Sequence, residues 1–581
     1  MGVLFAVTVF SQLKLQTWEQ SHTLKLATDS KRFDFTFHDI AHRGAILGSD
    51  AKPLAQDEQS YALTIKFPKV PHSDAFFMEL AEVTGIPATE FSALAEENSK
   101  KPKTWLQPVA GDHYKAIMDL RKRWRADGLS LAATGQRTYP LGDAASCLVG
   151  VIKKYREGET RTGLEQSMNK ALTGQDGLRV GLTDRFGAFL PMRMDKTSIP
   201  RKDGEDVLLT IDTDLQALAA QSIRTAVESN KAENGVAMVM DPKTGDILAM
   251  ANWPSFDPNG ATGSQGKFGF NPAYMAQLEP GSMFKILTLA KGIDDGKVNL
   301  NDSIYCSGEW HPIPSKAIHC DKHHGTRAHG QVTTVDAIAR SCNVSAAMWA
   351  THVGRDNFLD FIRSLGVTRP SKLNVPGERR GNLNYDDYAK QLQLACLGFG
   401  QSITCTPVGL LGAFGMIGND GIRVEPRIIK RIGSKVIAPE PGIRVVKSDT
   451  AQTVMKCMEA VIQSGEGTGA KLRIPGYRMA GKTGTAEKVG KGVHGYVSNF
   501  VGFVPAPNPK ALILVMVNNP KGNKYYGADV AGPVFSQIAK AVIRHYNLPQ
   551  SESITLKPSR KLSISSEESS VKTNPKDPAT L

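Results

Sequence analysis

The chain has 581 residues, 41% of them hydrophobic and 22% charged, enough for two or more domains with cores of their own. Its formal charge of +13 would suit nucleic acid or an anionic surface, but the basic residues are spread out and no nucleic-acid motif accompanies them, so no nucleic-acid partner is expected. Seven cysteines (147, 306, 320, 342, 396, 405 and 457) are an odd number and show no small-scaffold spacing, which leaves the redox compartment open.

The first residues, GVLFAVTVF, are apolar but fall short of the roughly 20 needed to cross a bilayer. They also lack the positive leading region of a signal peptide, and read either as a remnant of an anchor or as a buried strand. Residues 20–200 read as a mixed α/β module. A β-like run (YALTIKF) precedes a helix (DAFFMELAEVTG) and an amphipathic helix (HYKAIMDLRKRWRADG) whose basic run, Arg121 to Arg125, forms a solvated face. YPLGDAAS and GLEQSMNKALTGQDG read as loops. The segment SIPRKDGEDVLLTIDTDLQALAAQSIRTAVESN predicts a connecting strand and a long helix, capped by Asp214 or alternatively Thr213.

A second module starts with VAMVMDPKTGDILAMAN, a β-hairpin around the turn composition DPKTGD. A mainly helical middle follows, from about 275 to 425. Strands return in GYRMAGKTGTAE, VSNFVGFVP and KALILVMVNNP, before a terminal helix in GADVAGPVFSQIAKAVIRHY. Strands at both sequence ends with helices between predict an antiparallel sheet closed by the module's termini, in the α+β class. From about 549 the chain is rich in Ser, Lys, Glu and Pro, and is expected to be a disordered tail.

The chemistry starts at EPGSMFKIL. S-x-x-K occurs six times in the chain, so the spacing of Ser282 and Lys285 alone decides nothing. Context separates this match: Pro280-Gly281 forces a turn, and helical apolar spacing follows. Ser282 would then lie at a helix N-terminus, where free amides and the dipole favour an alkoxide or an oxyanion, with Lys285 one turn on. A helix cap with a solvated lysine explains the same residues, but two further motifs follow in order. Ser341-Cys342-Asn343 gives S-x-N, and Lys482-Thr483-Gly484-Thr485 gives K-T-G. Ser167-Met168-Asn169 and Lys243-Thr244-Gly245 are decoys, one in the other module and one in the hairpin turn. The ordered set is the signature of serine enzymes that open amide or β-lactam carbonyls.

With these motifs the chain resembles a class B penicillin-binding protein from about residue 40 to 545. AHRGAIL (Arg43, Gly44), RTYPLG (Arg137, Tyr139) and TGLEQSMNKALTGQDG (Gly163, Glu165, Leu172, Gly174) resemble the family's N-terminal pedestal, the dimerisation-type domain. The run GSDAK at 48–52 departs from the family's usual continuation. The resemblance implies a penicillin-binding/serine-transpeptidase fold, an antiparallel sheet flanked by helices, on a mixed α/β pedestal. The expected division is a residual anchor and linker at 1–19, the pedestal at 20–200, the transpeptidase domain at 201–548 and the tail at 549–581.

The resemblance also implies roles, carried over by motif. Ser282 attacks the bond between the last two D-alanines of a peptidoglycan stem peptide, and Lys285 is its base. Ser341 relays a proton to the departing amine, and Asn343 orients Lys285 and the substrate amide. Lys482 adds positive potential and attracts the substrate carboxylate, which Thr483 and Thr485 bind. Gly484 lets the substrate approach, and the amides of Ser282 and Thr485 form the oxyanion hole. β-Lactams acylate the same serine, and no cofactor is required. Location follows likewise: a single-pass protein of the cytoplasmic membrane with its catalytic domain outside, partnered by a polytopic glycosyltransferase and its regulators. YVSNFVGFVPAPNP and YYG resemble division-type members, whereas the Cys306–Cys320 stretch resembles elongation-type ones; the division-type reading is preferred. Rival outcomes for the same residues are a D,D-carboxypeptidase or β-lactamase passing the acyl group to water, and a β-lactam sensor that does not turn over.

Between the first two motifs, YCSGEWHPIPSKAIHCDKHHGTRAHG gathers zinc-type ligands in no compact zinc spacing. Three readings stay open: an ordinary polar loop, a Cys306–Cys320 disulfide, and a structural zinc held by Cys320, His323, His329 and Cys342.

Overall fold

The structure, a computed structural model, describes Thr8 and residues 34–551 apart from 98–100, 106–108, 156–157, 184–188, 195–197, 261–268, 322–326, 384, 386–389 and 488–494. The expected anchor segment, apart from Thr8, and the expected tail beyond 551 lie outside the described residues.

In the N-terminal module, strand β1 (Pro53–Ile65) pairs antiparallel with β2 (Leu129–Thr138), Tyr61 standing opposite Ala133. Helices α1 (Asp74–Thr84), α2 (Ala88–Glu96) and α3 (Tyr114–Arg123) pack on this pair through Phe76, Leu80, Phe91, Ile117 and Leu120, against Leu63 and Ile65. The basic run at the end of α3 faces solvent, as its spacing predicts, and Arg123 pairs with Glu79 at 3.0 Å. The stretches expected to be loops contain short helices instead, at Ser146–Val149, Gly163–Ser167 and Asn169–Leu172. These turns wrap a buried ion network that short-range propensity does not register. Glu165, fully buried, accepts from Arg43 Nε at 2.8 Å and Arg137 Nε at 2.7 Å, and Arg137 also meets Asp57 at 3.1 Å.

One sheet laces the modules together. Strand Val207–Leu209 pairs parallel with Ile46–Leu47 on one side and antiparallel with Ile429–Ile432 on the other. The long helix α4 (Thr213–Ser229) follows. Its cap is Asp212, whose Oδ1 accepts from the Leu215 amide at 2.9 Å, not Asp214 or Thr213. The helix begins at Thr213, so the capping oxygen comes from the residue before it, and Asp214, in the exposed first turn, pairs with Lys52 instead.

The second module is built on five antiparallel strands: β3 (Asn234–Met240), β4 (Ile247–Trp253), β5 (Ala480–Glu487), β6 (Tyr496–Val504) and β7 (Ala511–Asn518), in the spatial order β4-β3-β7-β6-β5. The pairing of β3 with β7, Ala237 opposite Val515, closes the sheet with strands from the two ends of the module, as expected. Both faces are covered. Ala237, Val239, Ile513 and Val515 face α4 and the terminal helix α9 (Gly532–His545), which contributes Phe535, Ile538 and Val542. Val236, Met238, Leu512 and Leu514 face the other way, toward helices α5 (Lys285–Asp294), α6 (Asn343–Val353), α7 (Pro407–Gly418) and α8 (Ser448–Gln463). Burial on two sides explains why β3 and β7 read as nearly unbroken apolar runs.

The terminal helix is two pieces. Gly527–Val530 ends at Ala531, and α9 restarts with Pro533 in its first turn, where a missing amide costs nothing. At the start of the expected tail, the amide of Ser551 donates to Gly476 O at 2.8 Å. Among the described residues no helix is long and apolar enough to cross a membrane.

Candidate active site

Ser282 sits on a 3-10 turn, Gly281–Met283, that leads into α5. The turn fits only because residue 281 is glycine. Its φ is +55°, and a Cβ there would come within 2.9 Å of Ala486 Cβ on β5. Lys285 opens α5 and is fully buried. Its Nζ donates to Ser341 O at 2.6 Å and to Ser341 Oγ at 3.0 Å. From β5, the equally buried Lys482 donates to the same Oγ at 2.8 Å and to Thr483 O at 2.9 Å. One hydroxyl therefore joins the two lysines. Ser341 reaches both from a left-handed backbone, φ +58°, a conformation that costs a non-glycine residue about 1–3 kcal/mol.

Burial pulls the pKa of Lys285 down, against the attraction of Asp321, Cys320 and Cys342. Burial also holds Lys482 well below the ordinary lysine value, and the charge of Lys285 adds to that effect. The pair is thus built for neutral amines, which is what a proton-accepting lysine requires.

The structure brings Ser282, Lys285, Ser341 and Lys482 together and arranges the other expected residues around them. Asn343 begins α6, lines the cavity beside Ser282, and donates from Nδ2 to His319 O at 2.8 Å. The described hydrogen bonds of Lys285 both go to Ser341. Thr483 Oγ1 lies 2.8 Å from Thr468 Oγ1, and Thr485 Oγ1 accepts from the Gly527 amide at 3.1 Å. Gly484 has a reason inside the protein: a Cβ there would stand 2.6 Å from the Asn499 side-chain amide and 3.1 Å from Met283. Its hydrogen lets β5 close on the turn that carries Ser282. Residue patterns did not single out Thr468, on a glycine-flanked loop (GEGTG), or the tyrosine ladder at the mouth. There Tyr496 and Tyr525 stack at 4.4 Å between ring centroids, and Tyr525 and Tyr526 at 4.5 Å. The decoys stay apart, Ser167 in the pedestal and Lys243 in a turn whose amide donates to Asp241 Oδ1.

Beside the S-x-N motif four side chains converge: Cys306, Cys320, His329 and Cys342. All are buried, and their ligand atoms lie within 4.8 Å of one another. Cys306 thus stands where His323 was expected, and His323 lies outside the described residues. No disulfide forms, since Cys306 Sγ and Cys320 Sγ are 3.7 Å apart and every cysteine is free. Cys320 and Cys342 are also 3.7 Å apart, and Cys306 Sγ lies 3.4 Å from His329 Nδ1.

The penicillin-binding protein transpeptidase domain family matches residues 235–540, and the penicillin-binding protein dimerisation domain family matches residues 38–209. The chain belongs to the class B penicillin-binding proteins. It is 31% identical over 515 residues to the peptidoglycan D,D-transpeptidase FtsI of Escherichia coli K12, covering 87% of this chain and 84% of that one. Penicillin-binding protein 3 of Mycobacterium tuberculosis, solved with aztreonam, has 27% identity and a TM-score of 0.66, over 89% of this chain and 98% of its own. Penicillin-binding protein 2X of Streptococcus thermophilus, at 23% identity, shares the fold with a TM-score of 0.72 over 88% of this chain and 80% of its own. The α+β penicillin-binding fold on a mixed α/β pedestal is therefore the fold of this class B penicillin-binding protein.

Proposed function

We propose that the protein cross-links peptidoglycan stem peptides as a serine D,D-transpeptidase, and that β-lactams inhibit it covalently at Ser282. The observation that carries this is the Lys285–Ser341–Lys482 chain, two buried lysines on one hydroxyl at the turn bearing Ser282. Neutral Lys285 accepts the Ser282 Oγ proton as the oxygen attacks the penultimate D-alanine carbonyl. The amides of Ser282 and Thr485 hold the oxyanion; one such donor is worth about 3 kcal/mol. The proton then returns through Ser341 Oγ to the departing D-alanine nitrogen. Thr483 and Thr485, with Lys482 behind them, hold its carboxylate, and Asn343 faces the remaining peptide. An amine from a second stem peptide then takes the acyl group.

Resemblance to the E. coli FtsI sequence supports a place in septal wall synthesis, beside a polytopic glycosyltransferase and its regulators. It also supports a single-pass anchor in the cytoplasmic membrane with the catalytic domain outside. The domain limits 1–19, 20–200, 201–548 and 549–581 are proposed with it. The test is covalent labelling with a fluorescent penicillin. Ser282→Ala should abolish the label, and persistence of the label would show that another serine reacts. Supplying a thioester stem-peptide donor and an amine then separates the outcomes: acceptor-linked product for a transpeptidase, free acid for a hydrolase, a stalled acyl-enzyme for a sensor.

The cysteine and histidine cluster is proposed as a structural zinc site. Zinc–sulfur bonds of about 2.3 Å at tetrahedral angles put sulfurs about 3.8 Å apart. The observed spacing of 3.7 Å approaches that edge and is far from a disulfide. Cys342 is the middle residue of S-x-N, so the site would brace Ser341 and Asn343 and take no part in the chemistry. Elemental analysis should find about one zinc per chain, lost in Cys306→Ser. A metal-free wild type that acylates normally would remove the reading.

A further inference from the structure

Two cavities meet over the nucleophile and share Ser282, Asp321, Thr485 and Tyr526. One runs along the outer end of β5, past Ala486 and Glu487, to the tyrosine ladder. The other runs past Ser341, Thr468 and Thr483 to Lys471. A transpeptidase needs two such paths, because the donor's acyl part stays bound while one amine leaves and another enters. By microscopic reversibility the entering amine uses the place the leaving amine vacated. The leaving D-alanine carries a carboxylate suited to Thr483, Thr485 and the lysine end. The acceptor therefore comes through the second cavity, and the donor lies along the first.

An acceptor amine arrives at neutral pH as an ammonium, and the buried lysines, held toward their neutral form, offer it no counter-charge. A carboxylate at the junction of the two cavities would attract it. Asp529 lines the second cavity but is ion-paired with Lys471, and Glu487 lines only the first. Asp321 lines both. It is exposed, and its carboxylate makes no ion pair or hydrogen bond among the described residues. Its backbone is pinned from behind, since the carbonyl of Cys320 accepts from Arg327 Nη1 at 2.9 Å.

We propose that Asp321 captures the acceptor ammonium at the mouth shared by the two cavities and delivers it to the acyl group on Ser282. The inference rests on the transpeptidase reading. In the transfer step the ammonium first releases one proton to solvent. The amine nitrogen bonds to the acyl carbon and the bond from that carbon to Ser282 Oγ breaks. The amine's second proton passes through Lys285 to Oγ, leaving an amide and the free serine.

The experiment measures the ratio of transfer product to free acid from one thioester donor, against acceptor concentration. Both products drain the same acyl-enzyme, so the slope is independent of acylation rate and of the folded fraction. With a D-amino acid amide as acceptor, Asp321→Asn should lower the slope about fivefold, a size typical of a partly exposed charge pair. Asp321→Glu should restore most of it. With hydroxylamine, which is neutral at pH 7.5, the slope should change little. An unchanged slope with the amide, or an equal fall with both acceptors, would overturn the assignment of Asp321. Free acid alone from the wild type at every acceptor concentration would overturn the transpeptidase reading and this inference together.

Discussion

The protein buries charge in two places and treats it in opposite ways. In the pedestal, Glu165 is fully buried between Arg43 and Arg137, with Asp57 completing the set, so every charge has a counter-charge at hydrogen-bond distance. In the transpeptidase module, Lys285 and Lys482 are just as buried, but both donate to the one hydroxyl of Ser341 and, among the described residues, neither has a carboxylate bonded to it. Compensated charge of the first kind holds a domain in shape. Like groups of the second kind raise the energy of the protonated state and leave a base ready to act. The difference separates a structural buried charge from a chemical one without reference to sequence motifs.

Three substitutions bear on that contrast. Lys285→Met should cost most in rate: acylation by a chromogenic cephalosporin should fall about 10^4-fold, or ~5 kcal/mol in the barrier. The melting temperature should hold or rise, because no charge loses a counter-charge and Ser341 Oγ keeps Lys482, only the Ser341 carbonyl losing a donor; a fall in both would place Lys285 with Glu165 as a structural charge. Glu165→Gln should do the reverse. It leaves two arginines under-compensated, so denaturant unfolding should show a loss of about 3 kcal/mol, while the folded fraction acylates at nearly the wild-type rate. Arrested acylation in fully folded Glu165→Gln would break the distinction.

The smallest effect is in pH. Lys482 is held below its unfolded value of 10.5, so between its folded pKa and 10.5 the unfolded chain binds the extra proton and stability rises with pH. Lys482→Met should therefore gain about 1–2 kcal/mol near neutrality, and the gain should shrink toward pH 10.5. Acylation itself should climb with pH and flatten once Lys285 is neutral, since its folded pKa is also lowered. A rate that falls as pH rises would remove Lys285 as the base.

The sequence made the reactive residues readable and hid much of what positions them. Ser282, Lys285, Ser341 and Lys482 could be found because each keeps a local setting: a Pro-Gly turn, a helix start, a β run. The class of sheet followed from apolar runs at both ends of the module. What could not be read is long-range. Cys306 joins the cluster only because its strand, Ser303–Cys306, pairs with Gly330–Thr333, which carries His329 in beside it. Asp212 caps α4 because of where the strand before it ends, a boundary that composition blurs by a residue or two. Gly484 was legible as a requirement for closeness, but its neighbours Met283 and Asn499 come from elements far away in the chain. Arg43, Asp57, Arg137 and Glu165 likewise meet only through the fold.

The pairing of β3 with β7 has a consequence for order in time. Ser282 precedes Lys482 by 200 residues, and β7 comes later still. A chain growing from its N-terminus carries the serine long before the strand that completes its surroundings exists. Until β5, β6 and β7 have joined β3, Lys482 has no fixed place beside Ser341 and Lys285 lacks the completed pocket that strips its proton. The nucleophile is therefore inert throughout synthesis and early folding, and reactivity arrives as the last product of closing the sheet.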